Sequence, residues 1–140
     1  LRIFYVYGPR QRSNSLIPTI LNSLEKGNFP EIRTPKNSND FIYIEDVVNA
    51  FSNAVLLNYP SGIFNLGSGS STSIIEVCRI AEKIISRNDF LTQRLQNKTV
   101  SSLESSDFWA NVSKTKKHLN WHSVTDLEKG ISSTWQSLKK

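Results

Sequence analysis

Cysteine is nearly absent from this 140-residue sequence. A single thiol, Cys78, rules out an intrachain disulfide framework and a thiolate zinc site. It falls inside an apolar helical pattern, which predicts a small core residue. Long apolar runs are missing too, since no stretch approaches the ~20 residues that span a bilayer. The first residues carry no signal-peptide pattern. The expectation is therefore a cytoplasmic, reducing location, with the two glycosylation sequons, Asn97-Lys98-Thr99 and Asn111-Val112-Ser113, read as chance matches. Internal repeats and low-complexity tracts are also lacking. The two histidines, His118 and His122, have i,i+4 spacing, but Asn120-Trp121 should break a helix between them and no acid or Cys joins them. No metal site is expected. The one tight basic cluster, Lys114, Lys116 and Lys117, has no base-reading motif beside it, so no nucleic-acid role is expected.

What is present supports one folded domain. Hydrophobic residues make up 38% and aromatics 10% of the chain, enough for a core and too much for disorder. Net charge is +5 and the pI is near 9.5. The excess is uneven: residues 1–85 hold eight Lys/Arg against seven Asp/Glu, and residues 86–140 hold nine against five. A solvated surface explains this simply; a surface that favours an anionic ligand is the functional alternative.

Leu1 to Tyr7, rich in β-branched and aromatic residues and ended by Gly8-Pro9, predicts a strand. The chain starts there without an initiating Met or a preceding turn, and we expect it to be a piece of a longer protein. Ser15 to Lys26 has helical spacing, with Pro18 in the first turn and Gly27 at the end. Phe41 to Ile44 is a short extended run. Glu45 and Asp46 follow it as cap and hydrogen-bonding groups at the start of a helix reaching about Leu57. The expected buried face of that helix is Val47, Val48, Phe51, Ala54 and Val55. Ile63 to Leu66 predicts a strand, and Gly67 to Thr72 a turn. Ser73 with Glu76 forms a capping box for a helix ending near Ser86. Residues 87–106 suggest no regular element. Phe108-Trp109-Ala110 is a strand or anchor, and the three tryptophans read as packing anchors. Asn111 should cap a helix ending near Leu119, with Asn120 left-handed after it. Thr125 with Glu128 is a second capping box for a last helix to about Leu138.

Four blocks of this sequence resemble one family. Leu1-Arg2 with Tyr7-Gly8-Pro9-Arg10-Gln11 is similar to L-R-x-x-N-x-Y-G-P-[RG]-Q. Asn39 to Ala50 is similar to R-D-F-I-Y-V-D-D-V-x-x-A. Gly62 to Gly69 with Thr72-Ser73-Ile74 is similar to G-x-x-[FY]-N-[IL]-G-S-G-x-x-[TS]-S-I. Trp109 to Lys114, Leu119-Asn120-Trp121 and Gly130 to Trp135 are similar to A-D-x-S-K-A-x-x-x-L-G-W-x-P-x-x-x-[IL]-x-x-G-[IL]. In this order they resemble the C-terminal part of NAD-dependent nucleotide-sugar epimerases and dehydratases, which are extended short-chain dehydrogenases.

The resemblance implies an α/β fold class: a C-terminal substrate-binding lobe over residues 1–140, with short strands, about five helices and most of the Rossmann core absent. The family's G-x-x-G-x-x-G turn and Tyr-x-x-x-Lys acid/base pair occur nowhere in the chain. Gly67 to Thr72 lacks the third glycine and later acid of a dinucleotide fingerprint. NAD is thus implied for the full-length protein and none for this chain alone. The implied partners are a nucleotide-sugar and an N-terminal Rossmann half, with a homodimer as an option for the full-length protein and the oligomeric state of this chain left open. The resemblance places Ile3 and Phe4 near the nicotinamide. It places Tyr5, Arg10, Leu16, Ile17, Pro18, Ile32, Arg33, Asn39 and Glu104 around the nucleotide-sugar. Tyr5 stands where the family has a phosphate-facing Asn, and Asn39 where it has Arg. Ser101, Leu103 and Glu104 stand where the family has R-x-G-D, without its Arg. Arg10, Arg12, Arg33 and Lys36 are candidates to compensate, and a member that keeps the fold without the ligand is the alternative.

Overall fold

The computed structural model describes residues 1–56, 61–86, 88–97 and 106–139. The N-terminal extended run is divided. Arg2–Ile3 form β1, Tyr5–Tyr7 form β2, and Phe4 is the break. Two consecutive amides explain it. Phe4 N–H donates to the Leu66 carbonyl at 2.9 Å, and Tyr5 N–H donates to the Asp40 carbonyl at 3.0 Å. Neighbouring amides of an extended chain point to opposite sides, so the run changes partner at Phe4. Asn65–Leu66 form β5 and pair with β1, while Phe41–Tyr43 form β4 and pair with β2; both pairs are parallel. Parallel neighbours need long crossovers, and helices α1 (Leu16–Glu25) and α2 (Ile44–Leu56) lie within them. β3 (Ser38–Asn39) pairs antiparallel with β6 (Thr72–Ser73). Then follow α3 (Ile74–Ile85), α4 (Phe90–Gln96), α5 (Ser113–Leu119) and α6 (Leu127–Leu138).

Strand alternation sorts the core into two clusters. Phe41 and Tyr43, with Tyr7, face the larger one, built with Ile17, Ile20 and Leu21 of α1, Val77, Cys78 and Ala81 of α3, and Ile131 of α6. Ile42 between them faces the smaller, with Val47, Ala50, Phe64, Leu66, Leu119 and Trp121. Burial on both faces is the normal state of parallel strands. α6 crosses Tyr7 so closely that a Cβ on Gly130 would collide with the Tyr7 hydroxyl.

Several expectations are corrected. Val47 and Ala50 of α2 are buried, but Val48, Phe51 and Val55 are 53%, 45% and 82% exposed. Asp46 decides the rotation. Its buried carboxylate accepts from Ser123 Oγ at 3.0 Å and Thr125 N–H at 3.1 Å, and its carbonyl accepts from Trp121 Nε1 at 3.1 Å. The inward side therefore carries Asp46, Val47 and Ala50. With its N–H engaged there, Thr125 is not the cap of α6; Asp126 is, accepting from Lys129 N–H at 2.8 Å.

Residues 90–96, read as irregular, form α4. Its own N-cap residue, Asp89, makes no side-chain cap bond. The cap comes from α3 instead. Buried Glu82 accepts from Leu91 N–H at 2.6 Å, Thr92 N–H at 2.9 Å and Thr92 Oγ1 at 2.5 Å. Ser73 caps α3 by accepting from Glu76 N–H at 3.3 Å. The Glu76 carboxylate turns to Arg79, and that hydrogen bond holds its pKa below the usual value. Asn120 is left-handed, with φ 44°.

Candidate functional site

The site is organised around a carboxylate that sequence reasoning passed over. Asp40, 1% exposed, stands between β3 and β4. Its Oδ1 accepts from Ser68 N–H at 2.6 Å and Ser68 Oγ at 2.7 Å. Its Oδ2 accepts from Gly69 N–H at 2.9 Å and Ala110 N–H at 3.0 Å. Two oxygens offer about four acceptor sites, so the carboxylate is saturated and is no general base. A Cβ on Gly67 would come within 2.5 Å of Asp40 Oδ2 and 2.6 Å of the Ala110 Cβ, which explains the glycine. Successive backbone amides of such a turn make an anion-binding concavity, and here the chain's own carboxylate fills it.

A cleft of about 260 Å³ opens beside this hub, lined by Ile3, Phe4, Tyr5, Asn39, Asp40 and Phe108. Residues expected on the nicotinamide side thus share one cavity with two expected on the substrate side. Phe108, not singled out from the sequence for this role, stacks on Phe4 with ring centroids 5.0 Å apart. The Tyr5 hydroxyl is tied to the Leu16 backbone in the first turn of α1, a bond that draws its pKa down. The larger effect is burial, which pushes the phenol's pKa up overall.

A second cleft, of about 490 Å³, lies between the 29–32 loop and α4. Ile32 forms part of its wall, 6% exposed. Phe29, Leu91, Arg94 and Leu95 also line it. The Arg94 guanidinium carbon lies 5.4 Å from the centroid of the Phe29 ring. Arg94 was not anticipated, because α4 was not; the Leu91–Leu95 i,i+4 pair was the available signal.

The remaining candidates are dispersed. Ile17 and Pro18 are buried in α1, and Leu16 is half-buried at its start. Arg10 is exposed in a loop with φ 64°. Arg33 is exposed and pairs with Glu31 at 3.4 Å. Ser101, Leu103 and Glu104 lie outside the described residues. Among the described residues no group of three or more His, Cys, Asp or Glu could hold a metal, and no helix is long and apolar enough to cross a membrane.

Residues 1–67 match the model of the NAD-dependent epimerase/dehydratase family. Over those residues the chain is similar to that family. It is 30% identical over 136 residues to an uncharacterised UDP-glucose epimerase of Bacillus subtilis, covering 94% of this chain and 41% of the relative. It spans less than half the length of the curated relatives it matches. Its fold is that of part of UDP-glucuronic acid 4-epimerase from Bacillus cereus, solved with UDP-glucuronic acid and NAD (TM-score 0.79, 24% identity, 99% of this chain and 44% of that one). The dTDP-glucose 4,6-dehydratase of Bacillus anthracis, solved with NAD, is similar to the same extent (TM-score 0.79, 19% identity, 99% and 43%).

Proposed function

We propose that this chain is the nucleotide-sugar-binding lobe of an NAD-dependent epimerase or dehydratase and is inactive alone. The observation that carries the proposal is the smaller cleft, where Ile3 and Phe4 meet Tyr5 and Asn39 in one cavity. Ile3 and Phe4 face the nicotinamide end, and Tyr5 and Asn39 the sugar diphosphate. NAD supplies hydride chemistry when bound, but this chain does not hold the dinucleotide. It lacks the glycine fingerprint, and the amides of its one glycine-rich turn are taken by Asp40. The Tyr-x-x-x-Lys acid/base pair is absent from these 140 residues as well. What the lobe contributes is orientation: binding energy from the nucleotide handle, remote from the reacting carbon, holds the sugar in place.

A second reading is a family member that keeps the fold without the ligand. Tyr5 and Asn39 favour it, because they stand where the resembled family has a phosphate-facing Asn and an Arg. Calorimetric titration of UDP- and dTDP-sugars separates the two, on this chain joined to the NAD-binding half of a relative. Binding heat supports the first reading; none at millimolar ligand leaves the second.

A further inference from the structure

We infer that α4 is a movable wall of the larger cleft, latched to α3 by Glu82, and that it lifts away while the rest of the chain stays folded. Short helices are marginal on their own in water, and α4 has only the seven residues Phe90–Gln96. It packs chiefly on α3. Its other side borders the cleft, where an exposed contact crosses the gap: the Arg94 guanidinium carbon lies 5.4 Å from the centroid of the Phe29 ring. Leu91, Thr92 and Leu95 are the buried residues of α4, while Phe90 is 61% exposed. Few buried apolar contacts mark the segments that open locally, ahead of global unfolding.

The latch is a buried charge. Glu82 is 0% exposed, and among the described residues no cation forms an ion pair with it. Such a carboxylate is held in place by its hydrogen-bond donors. Leu91 N–H, Thr92 N–H and Thr92 Oγ1 are those donors, at 2.5–2.9 Å, and all belong to α4. Asp89, at the N-cap position, adds no side-chain bond. Each side therefore depends on the other. With α4 seated, Glu82 satisfies amides that a helix start leaves free. With α4 lifted, water reaches both the carboxylate and the amides, and that hydration offsets part of the lost bonds. Renewed exposure of Leu91 and Leu95 opposes the lift and returns the helix to its seat. Both leucines also line the cleft, so lifting α4 widens it. The position of α4 thus sets how large a ligand the cleft accepts.

The test is native-state hydrogen exchange of the 140-residue chain at neutral pH, in urea below the unfolding transition. Relative to their intrinsic rates, the amides of Leu91 to Gln96 should exchange about tenfold faster or more than those of Val77, Cys78 and Ala81 in α3. Their exchange should depend little on urea, because a local opening exposes little surface. Glu82→Gln should speed exchange in α4 about tenfold, the scale of one buried hydrogen bond. It should also raise the fluorescence of anilinonaphthalene sulfonate, which binds exposed apolar surface. Near-UV circular dichroism should stay the same, since Trp109, Trp121 and Trp135 lie outside α4. Thr92→Val removes one bond and keeps the charge, so its rise should be smaller. Asp89→Ala should give none, since that side chain caps nothing. Amides of α4 that exchange at the rate and urea dependence of α3 in the parent overturn the inference. So does exchange in α4 left unchanged by Glu82→Gln; should that variant not fold, the parent and Thr92→Val decide.

Discussion

Asp40→Asn is the perturbation with the clearest expected cost. The substitution keeps volume and replaces one acceptor oxygen by an NH₂ donor in a buried site. If the amide nitrogen takes the Oδ2 position, it faces the N–H groups of Gly69 and Ala110, and both lose their acceptor. If it takes the Oδ1 position, the Ser68 hydroxyl can turn to accept, and only the Ser68 N–H is orphaned. The second arrangement is cheaper, and the chain will adopt it. One buried N–H without a partner costs about 1–3 kcal/mol. The surviving bonds fall from charged to neutral strength, about 1 kcal/mol for each of the two on the other oxygen. The sum is about 3–5 kcal/mol, the same range as removing one member of a buried charged pair. Set against the ~5–15 kcal/mol total of a typical domain, that is about a fifth of the stability or more. Urea unfolding followed by tryptophan fluorescence and far-UV circular dichroism measures it. The midpoint should drop sharply at unchanged slope. A loss below about 1 kcal/mol would refute the reasoning, since Asp40 would then not be what orders the Gly67–Gly69 turn.

Two further predictions concern the core. Val55→Ser should leave stability within about 0.5 kcal/mol, as for other exposed positions. Val47→Ala one face away should cost about 1–3 kcal/mol from lost burial; equal effects in thermal melts would contradict the observed rotation of α2. Burial pushes the Cys78 thiol from an ordinary 9.0 up to about 12. The folded state thus resists forming the thiolate, and the stability this confers is full below pH 9 and is lost as pH rises toward 12. Chemical unfolding of the parent should decline more steeply over that window than that of Cys78→Ala. Tyr7, also raised by burial, is common to both and cancels in the comparison. Native Cys78 should also be inert to a thiol reagent until urea is added, and rapid labelling of the folded chain would show the packing to be wrong.

Local rules carried far in this chain. α1 was legible because Pro18 and Gly27 bracket an apolar stripe, and α3 because Ser73 sits three residues before Glu76. Asn120 was legible as a left-handed stop. Each depends on atoms within a turn or two of the residue itself, and such signals survive in the sequence. The motif order was enough to find the family that the chain resembles, since it records backbone turns and close contacts rather than any one interaction.

The remainder depended on partners far apart in the chain. Whether Val47 or Val55 faces inward was settled by Asp46 reaching Ser123 and Thr125, more than 70 residues away. α4 exists because Glu82 supplies from another helix the cap its own Asp89 does not. Asp40 became the hub of the site by collecting amides from Ser68, Gly69 and Ala110. A buried carboxylate must find its donors wherever folding brings them, and periodicity carries no trace of that choice. The sequence alone determined most of the helices, α1, α2, α3, α5 and α6, and which family's motifs the chain resembles. Only the tertiary structure decided which face is buried, where the unread helix forms and which side chains share a cleft, because those outcomes are set by satisfying buried polar groups across the whole chain.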